Sequence, residues 1–254
     1  MKYCVLSRQP DSVLKKADEI RVSTEDINQI YDLIKKYPNK TIIYEVRSQE
    51  KTNWKLLKAF SQDCDLILSV YNYIFFDKKV LKDFKHFYIN PVNSWYDLSL
   101  ISNYNPCYVL LGPDLMFSLK QYKKYYNIPV RTYVNRASWD MYEKTAEQLI
   151  CGPWIRPEDM DLYSEYVSAV EFIADNLTEE ATLLKVYKED KSWPGNIRLL
   201  IKDLPISVNC KLFDKDFAEK RIGCGHRCMS KPGSCVSCDI NYRVARLLDD
   251  FKQN

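Results

Sequence analysis

The chain has 254 residues, 46 % hydrophobic and 28 % charged, and its 37 lysines and arginines against 34 aspartates and glutamates leave a net charge of +3. A chain of this length buries a sizeable core without disulfides, and no block of like charges marks a nucleic-acid tail. No apolar run approaches the roughly 18 residues of a membrane span, and the run at Met1 to Arg8 is too short for a secretory signal, so a soluble, cytoplasmic protein with no membrane partner is expected.

Short β-rich runs begin near Tyr3, Ile20, Thr41, Leu66, Phe87, Tyr108 and Pro129, a spacing of roughly 21 residues, with helical patterns between them. The clearest helix runs from Thr24 to Lys36, where Ile27, Ile30, Tyr31 and Ile34 keep helical spacing behind the capping residues Ser23-Thr24-Glu25-Asp26. Further on, Ala137 to Leu149 reads as helix, and Ala169 to Ile173 and Pro205 to Cys210 read as strands. That makes nine candidate strands, so one assignment is either wrong or serves as an extra. Alternating β and α predicts a parallel sheet. The Gly-x-Gly-x-x-Gly loop is absent and the chain has only six glycines, so a TIM-barrel-like (β/α) barrel is favoured over a dinucleotide fold. The expected organisation is an α/β barrel domain over 1–204, followed by a last strand, a cysteine-rich metal-binding segment and a C-terminal helix over 205–254.

In such a barrel the strand ends and the loops after them form the working face. The sequence places Ser7, Arg8, Ser23, Glu45, Arg47, Ser69, Tyr71, Asn90, Asn93, Asp114, Asn135, Arg136, Glu171, Asn209 and Cys210 there. Glu45, Arg47 and Arg136 are the candidate catalytic residues. Strand alternation in Thr41 to Arg47 points Glu45 and Arg47 to one side. If that side is the barrel interior they form a polar group at the mouth; if it faces the helices they are a structural ion pair.

Five of the nine cysteines fall in Cys210-x13-Cys224-x3-Cys228-x6-Cys235-x2-Cys238. Thiolates this close repel one another unless a cation neutralises them, which predicts a metal centre. Two ligand sets compete. Cys224, Cys228, Cys235 and Cys238 make a compact zinc-like module, whereas Cys210, Cys224 and Cys228 with a fourth thiolate from elsewhere suit an iron–sulfur cluster.

The order of elements, the segment Trp154-Ile155-Arg156-Pro157-Glu158-Asp159-Met160-Asp161-Leu162-Tyr163, the later Leu184-Lys185-Val186-Tyr187 and Trp193-Pro194-Gly195-Asn196, and the cysteine-rich end resemble the collagenase-like peptidase family U 32. The strand-end cysteine followed by Cys-x3-Cys, here Cys210, Cys224 and Cys228, is similar to that family's pattern. The resemblance implies a TIM-barrel-like fold, a 4Fe–4S cluster, and a part in hydroxylating RNA bases or a small aromatic substrate. The chain lacks that family's long extension and its Cys/His-rich segment after Val134. The competing reading is a non-enzymatic binding protein, with a protein partner, whose C-terminal end is stapled by structural zinc.

Overall fold

The computed structural model of the chain describes residues 1–23, 26–63, 65–71, 78–116, 118–135, 137–138, 154–172, 177–188, 195, 197–202 and 217–223. In chain order the elements are β1 (Lys2–Leu6), α1 (Asp11–Lys16), β2 (Glu19–Val22), α2 (Ile27–Lys36), β3 (Thr41–Val46), α3 (Trp54–Asp63), β4 (Leu66–Tyr71), α4 (Lys78–Leu81), β5 (Phe87–Val92), α5 (Trp95–Ser102), β6 (Tyr108–Leu111), α6 (Pro113–Met116), α7 (Leu119–Tyr125), β7 (Val130–Tyr133), β8 (Ala137–Ser138), α8 (Met160–Tyr163), β9 (Ala169–Glu171), α9 (Leu177–Lys188), β10 (Ile201–Lys202) and α10 (Phe217–Gly223). They fall into two compact units, one over 1–112, 127–132 and 167–171, the other over 113–126, 133–166 and 172–254.

The first unit carries the barrel. Its strands close in the order β1-β2-β3-β4-β5-β6-β7-β9, and every recorded pairing is parallel. The fold is therefore an α/β, TIM-barrel-like closed barrel with helices between its strands. All seven of the early β-runs become strands, and Ala169–Glu171 supplies the eighth. The ninth candidate, Pro205 to Cys210, lies outside the described residues.

Period-two alternation explains why these short segments are strands and which way each faces. Outward positions such as Val5, Ile20, Val22, Ile42, Leu68, Val70, Ile89, Val109 and Val170 are sealed beneath the helices. Each fully buried Val, Leu or Ile contributes about 1.5–3 kcal/mol of transfer free energy. The helices cover this layer with their own apolar stripes, with Leu14, Ile30, Leu57, Leu98 and Ile101 buried. Local caps set where helices begin. The Asp26 carboxylate accepts from the Asn28 amide at 3.0 Å at the start of α2, and the Ser94 hydroxyl accepts from the Asp97 amide at 3.1 Å at the start of α5.

In the second unit Trp154 is fully buried, with the Arg221 guanidinium 4.8 Å over its ring and Nη1 donating to the Trp154 carbonyl at 2.7 Å. Arg156 forks onto Asp159 at 2.6 and 2.7 Å, and the Tyr187 hydroxyl donates to the Ile155 carbonyl. The Trp154 to Tyr163 segment, which carries much of the family resemblance, is thus a packed structural element with both charges of its buried pair satisfied. One expectation is corrected here. The helix read over Ala137 to Leu149 does not include its first two residues, because Ala137 and Ser138 pair in parallel with Ile201 and Lys202. A strand partner more than sixty residues away overrides local helical spacing; residues 139–149 lie outside the described part.

Candidate functional site

The inward positions of this barrel carry charge where such barrels usually pack branched aliphatic side chains. Glu19 and Arg21 on β2, Glu45 on β3, Arg131 on β7 and Glu171 on β9 are all buried. A charge without a partner cannot stay in such surroundings, and each of these has one. Arg131, at 0 % exposure, reaches Glu19 with Nη2 at 2.5 Å and Glu171 with Nε at 3.0 Å. Its guanidinium also lies 5.0 Å from the Tyr88 ring centroid and 5.2 Å from that of Tyr108. Arg21 continues the line, with Nη1 2.5 Å from Glu171 and Nε 3.3 Å from Glu45.

The line surfaces at both ends. Lys2, the first residue of β1, meets Glu19 at 3.4 Å with its side chain 45 % exposed. Arg47, just past the C-terminal end of β3, meets Glu45 at 2.8 Å with its side chain 67 % exposed. A ladder of alternating charge, Lys2–Glu19–Arg131–Glu171–Arg21–Glu45–Arg47, therefore runs through the barrel interior to the face where its strands end.

Electrostatics inside the ladder follow from these contacts. Burial alone would raise the Glu171 carboxyl, but the Arg21 and Arg131 charges and the Tyr88 hydroxyl, which donates at 2.9 Å, outweigh it and hold the group below its ordinary value. Burial likewise opposes the Arg131 charge, and Tyr88, Glu171 and Glu19 around it reverse that, raising its pKa well above the ordinary value. Burial and the neighbouring Glu171 charge push the Cys4 thiol up, and burial pushes the Cys107 thiol up to about 12. Both are free thiols, and both are protonated packing groups rather than nucleophiles.

At the mouth the two alternatives for Glu45 and Arg47 resolve. Glu45 faces the interior, and Arg47 bends back over it from the following loop. The Tyr71 hydroxyl donates to Glu45 Oε1 at 3.3 Å, and the Arg47 guanidinium lies 5.7 Å from the Tyr71 ring centroid. Beside them an open cleft of about 170 Å³ is lined by Ser23, Tyr44, Glu45, Arg47, Ser48, Lys51 and Thr52. Asn90 donates to the Ser69 hydroxyl at 3.3 Å deeper in the barrel.

The structure thus brings together Glu45, Arg47, Tyr71, Ser69, Asn90 and Glu171 from the sequence-predicted face. Asn93 and Arg8 are exposed, whereas Tyr133 at the end of β7 is buried at 7 % exposure. Arg136, Asn209 and all five candidate metal ligands, Cys210, Cys224, Cys228, Cys235 and Cys238, lie outside the described residues. Among the described residues no group of three His, Cys, Asp or Glu side chains is arranged to hold a metal ion, and no helix is long and apolar enough to cross a membrane. Sequence reasoning missed Lys2, Glu19, Arg21, Tyr88 and Arg131. The signal was present in Glu19-Ile20-Arg21-Val22, where charges recur at strand period beside buried β-branched residues, and in Val130-Arg131-Thr132, where one charge stands between two of them.

The fold and this mouth define a (β/α) barrel protein with a charged interior. No protein-family model matches the chain, and no curated protein matches it. Among solved structures it is similar to a cube-shaped, highly porous protein cage designed by fusing symmetric oligomeric domains, at a TM-score of 0.46 and 12 % identity over 74 % of this chain and 72 % of that chain. A likeness at that level carries no argument about function.

Proposed function

We propose that the protein is a metal-dependent barrel enzyme of the U 32 type that acts on RNA or a small aromatic substrate in the cytoplasm, with its reacting groups at the C-terminal mouth of the barrel. The observation that carries the enzymatic half is Glu45, a carboxylate fixed by Arg21, Arg47 and the Tyr71 hydroxyl beside an open cleft. A carboxylate clamped from three sides keeps one orientation, which suits it to accept a hydrogen bond or a proton from a bound substrate. Arg47 and Tyr71 offer a cation and a ring face beside it, a pairing that suits an aromatic or anionic substrate.

The metal half rests on the chemistry of the donor set. Soft thiolates at the spacing of Cys210, Cys224, Cys228, Cys235 and Cys238 fit a 4Fe–4S cluster or zinc. Cys224 and Cys228 belong to both ligand sets; a cluster held there would supply electron transfer, whereas zinc would supply a structural staple.

Anaerobic purification followed by iron, zinc and sulfide analysis tests the reading, with iron and sulfide in near-equal amounts as the expected result. One zinc per chain with no sulfide, together with full function in Glu45→Gln, would replace it with the binding-protein reading.

A further inference from the structure

We infer that the base of the barrel is a binding site for one ordered water molecule, which accepts a hydrogen bond from Arg131 Nη1 and donates one to Glu19 Oε1. The site lies at the end of the ladder away from the mouth, so it stands apart from the enzymatic reading.

These two atoms are the ladder's loose ends. The Arg131 guanidinium donates from Nε to Glu171 and from Nη2 to Glu19, whereas its Nη1 is sealed from solvent and makes no hydrogen bond to a described residue. Both oxygens of Glu45 are engaged, by Tyr71 and Arg47. Both oxygens of Glu171 are engaged, by Tyr88 and Arg131 on one and by Arg21 on the other. Glu19 engages Oε2 alone; its Oε1 is equally sealed, accepts no hydrogen bond from a described residue, and meets the Lys2 ammonium only as an ion pair at 3.4 Å. A donor and an acceptor shut away from solvent in this state have lost their hydration without replacing it. They belong to side chains already in contact at 2.5 Å through Nη2 and Oε2, which brings both within the reach of one small bridging molecule.

Charge decides what that molecule is. An anion on Nη1 would face the Glu19 and Glu171 carboxylates and the negative ring faces of Tyr88 and Tyr108, whose centroids lie 5.0 and 5.2 Å from the guanidinium carbon. A metal cation on Oε1 would face Arg131 and Lys2. Water is neutral, donates and accepts, and is the usual partner of buried polar groups that the chain leaves unpaired. Two inward neighbours are small. Cys4, in register with both Glu19 and Glu171, carries a protonated thiol, and Ala169, on the strand beside β7, carries a methyl group. Barrels of this kind usually place bulky branched side chains at such positions.

A crystal structure of the full chain, refined far enough to show ordered solvent, is the direct test. The expected result is a density peak about 2.7–3.2 Å from both Arg131 Nη1 and Glu19 Oε1. No peak there, or a protein group bonded to Nη1 instead, would overturn the site. An anomalous peak at the same place after soaking in bromide would show an anion and overturn the assignment to water. In solution, oxygen-17 relaxation dispersion counts long-lived internal waters. Arg131→Met should hold at least one fewer than the native protein, and Tyr71→Phe, a change at the mouth, should hold the same number. Equal counts in the native protein and Arg131→Met, or an equal drop in Tyr71→Phe, would refute a water held at the base.

Discussion

Replacing Arg131 by methionine removes the hub of the buried ladder while keeping an unbranched side chain that fills much of the same space. In the native protein Arg131 faces Glu19 at 2.5 Å and Glu171 at 3.0 Å. Breaking a buried ion pair by removing one partner costs about 3–5 kcal/mol, because the charge left behind is uncompensated. Here Arg21 still faces Glu171 and Lys2 still faces Glu19, so the loss falls at the lower end, about 3 kcal/mol. For a chain of this size each kcal/mol moves the melting temperature by roughly 2–4 °C, which gives a fall of about 6–12 °C.

The pH dependence supplies a sign that simple loss of packing would not. Glu171 has a depressed folded-state pKa, so its stabilisation is present above the unfolded value and is lost as pH falls through the folded one. Without Arg131 the Glu171 carboxyl keeps only Arg21 and the Tyr88 hydroxyl against its burial, so it rises from its native position. The variant is then penalised at neutral pH and loses less than the native protein as the pH falls and that group takes up its proton. Urea unfolding followed by circular dichroism at intervals from pH 7 to pH 4 should show the gap between the two proteins narrowing. A loss under about 1 kcal/mol at pH 7, against the 3–5 kcal/mol typical of a broken buried pair, or a gap that stays constant with pH, would refute the ladder.

Glu45→Gln should lower turnover and also destabilise by about 1–3 kcal/mol, since it withdraws charge from Arg21, whereas Arg47→Lys should lower turnover with no change in melting temperature; steady-state kinetics beside thermal melts separate the two. Cys224→Ser and Cys228→Ser should each abolish metal binding, measured as metal and sulfide per chain, and full occupancy in both would remove the centre. Cys210→Ser decides the ligand set, because loss of metal selects the barrel-linked thiolates and retention selects the compact module.

The barrel was legible because its signal is local. Runs such as Thr41 to Val46 and Leu66 to Tyr71 combine β-branched and aromatic residues with a regular spacing, and seven of them fall in register around the closed sheet. Strand alternation put Glu45 and Arg47 on one side of the strand but left open which side, and the contacts of Glu45 with Arg21 and Tyr71 decide it. The rest of the ladder was not legible, because its bonds join residues far apart in the chain. Arg131 and Glu19 are separated by 112 residues, and Arg21 and Glu171 by 150. A charged residue at the start of a strand reads as a solvated flank until the pairing partner across the barrel is known, which is how Glu19 escaped a run taken to begin at Ile20. The same nonlocality put Ala137 and Ser138 into a helix, although their partners are Ile201 and Lys202.

A charged interior is a poor way to make a barrel stable. Desolvating Glu19, Arg131, Glu171 and Arg21 costs several kcal/mol per ion, and an aliphatic filling of equal volume is often as stable or more so. What the ladder does supply is orientation. Arg21 is held by Glu171, which is held in turn by Arg131 and Tyr88, so the guanidinium that meets Glu45 has little freedom to turn away. The carboxylate at the mouth thereby inherits its position from residues two and three steps deeper in the barrel, and its outer face is left to Arg47, the one member of the upper ladder exposed enough to meet a ligand. Rigid support below and an accessible cation above are what a site needs to bind one charge pattern in one orientation, and they place the cost of the buried charges on the side of specificity rather than stability.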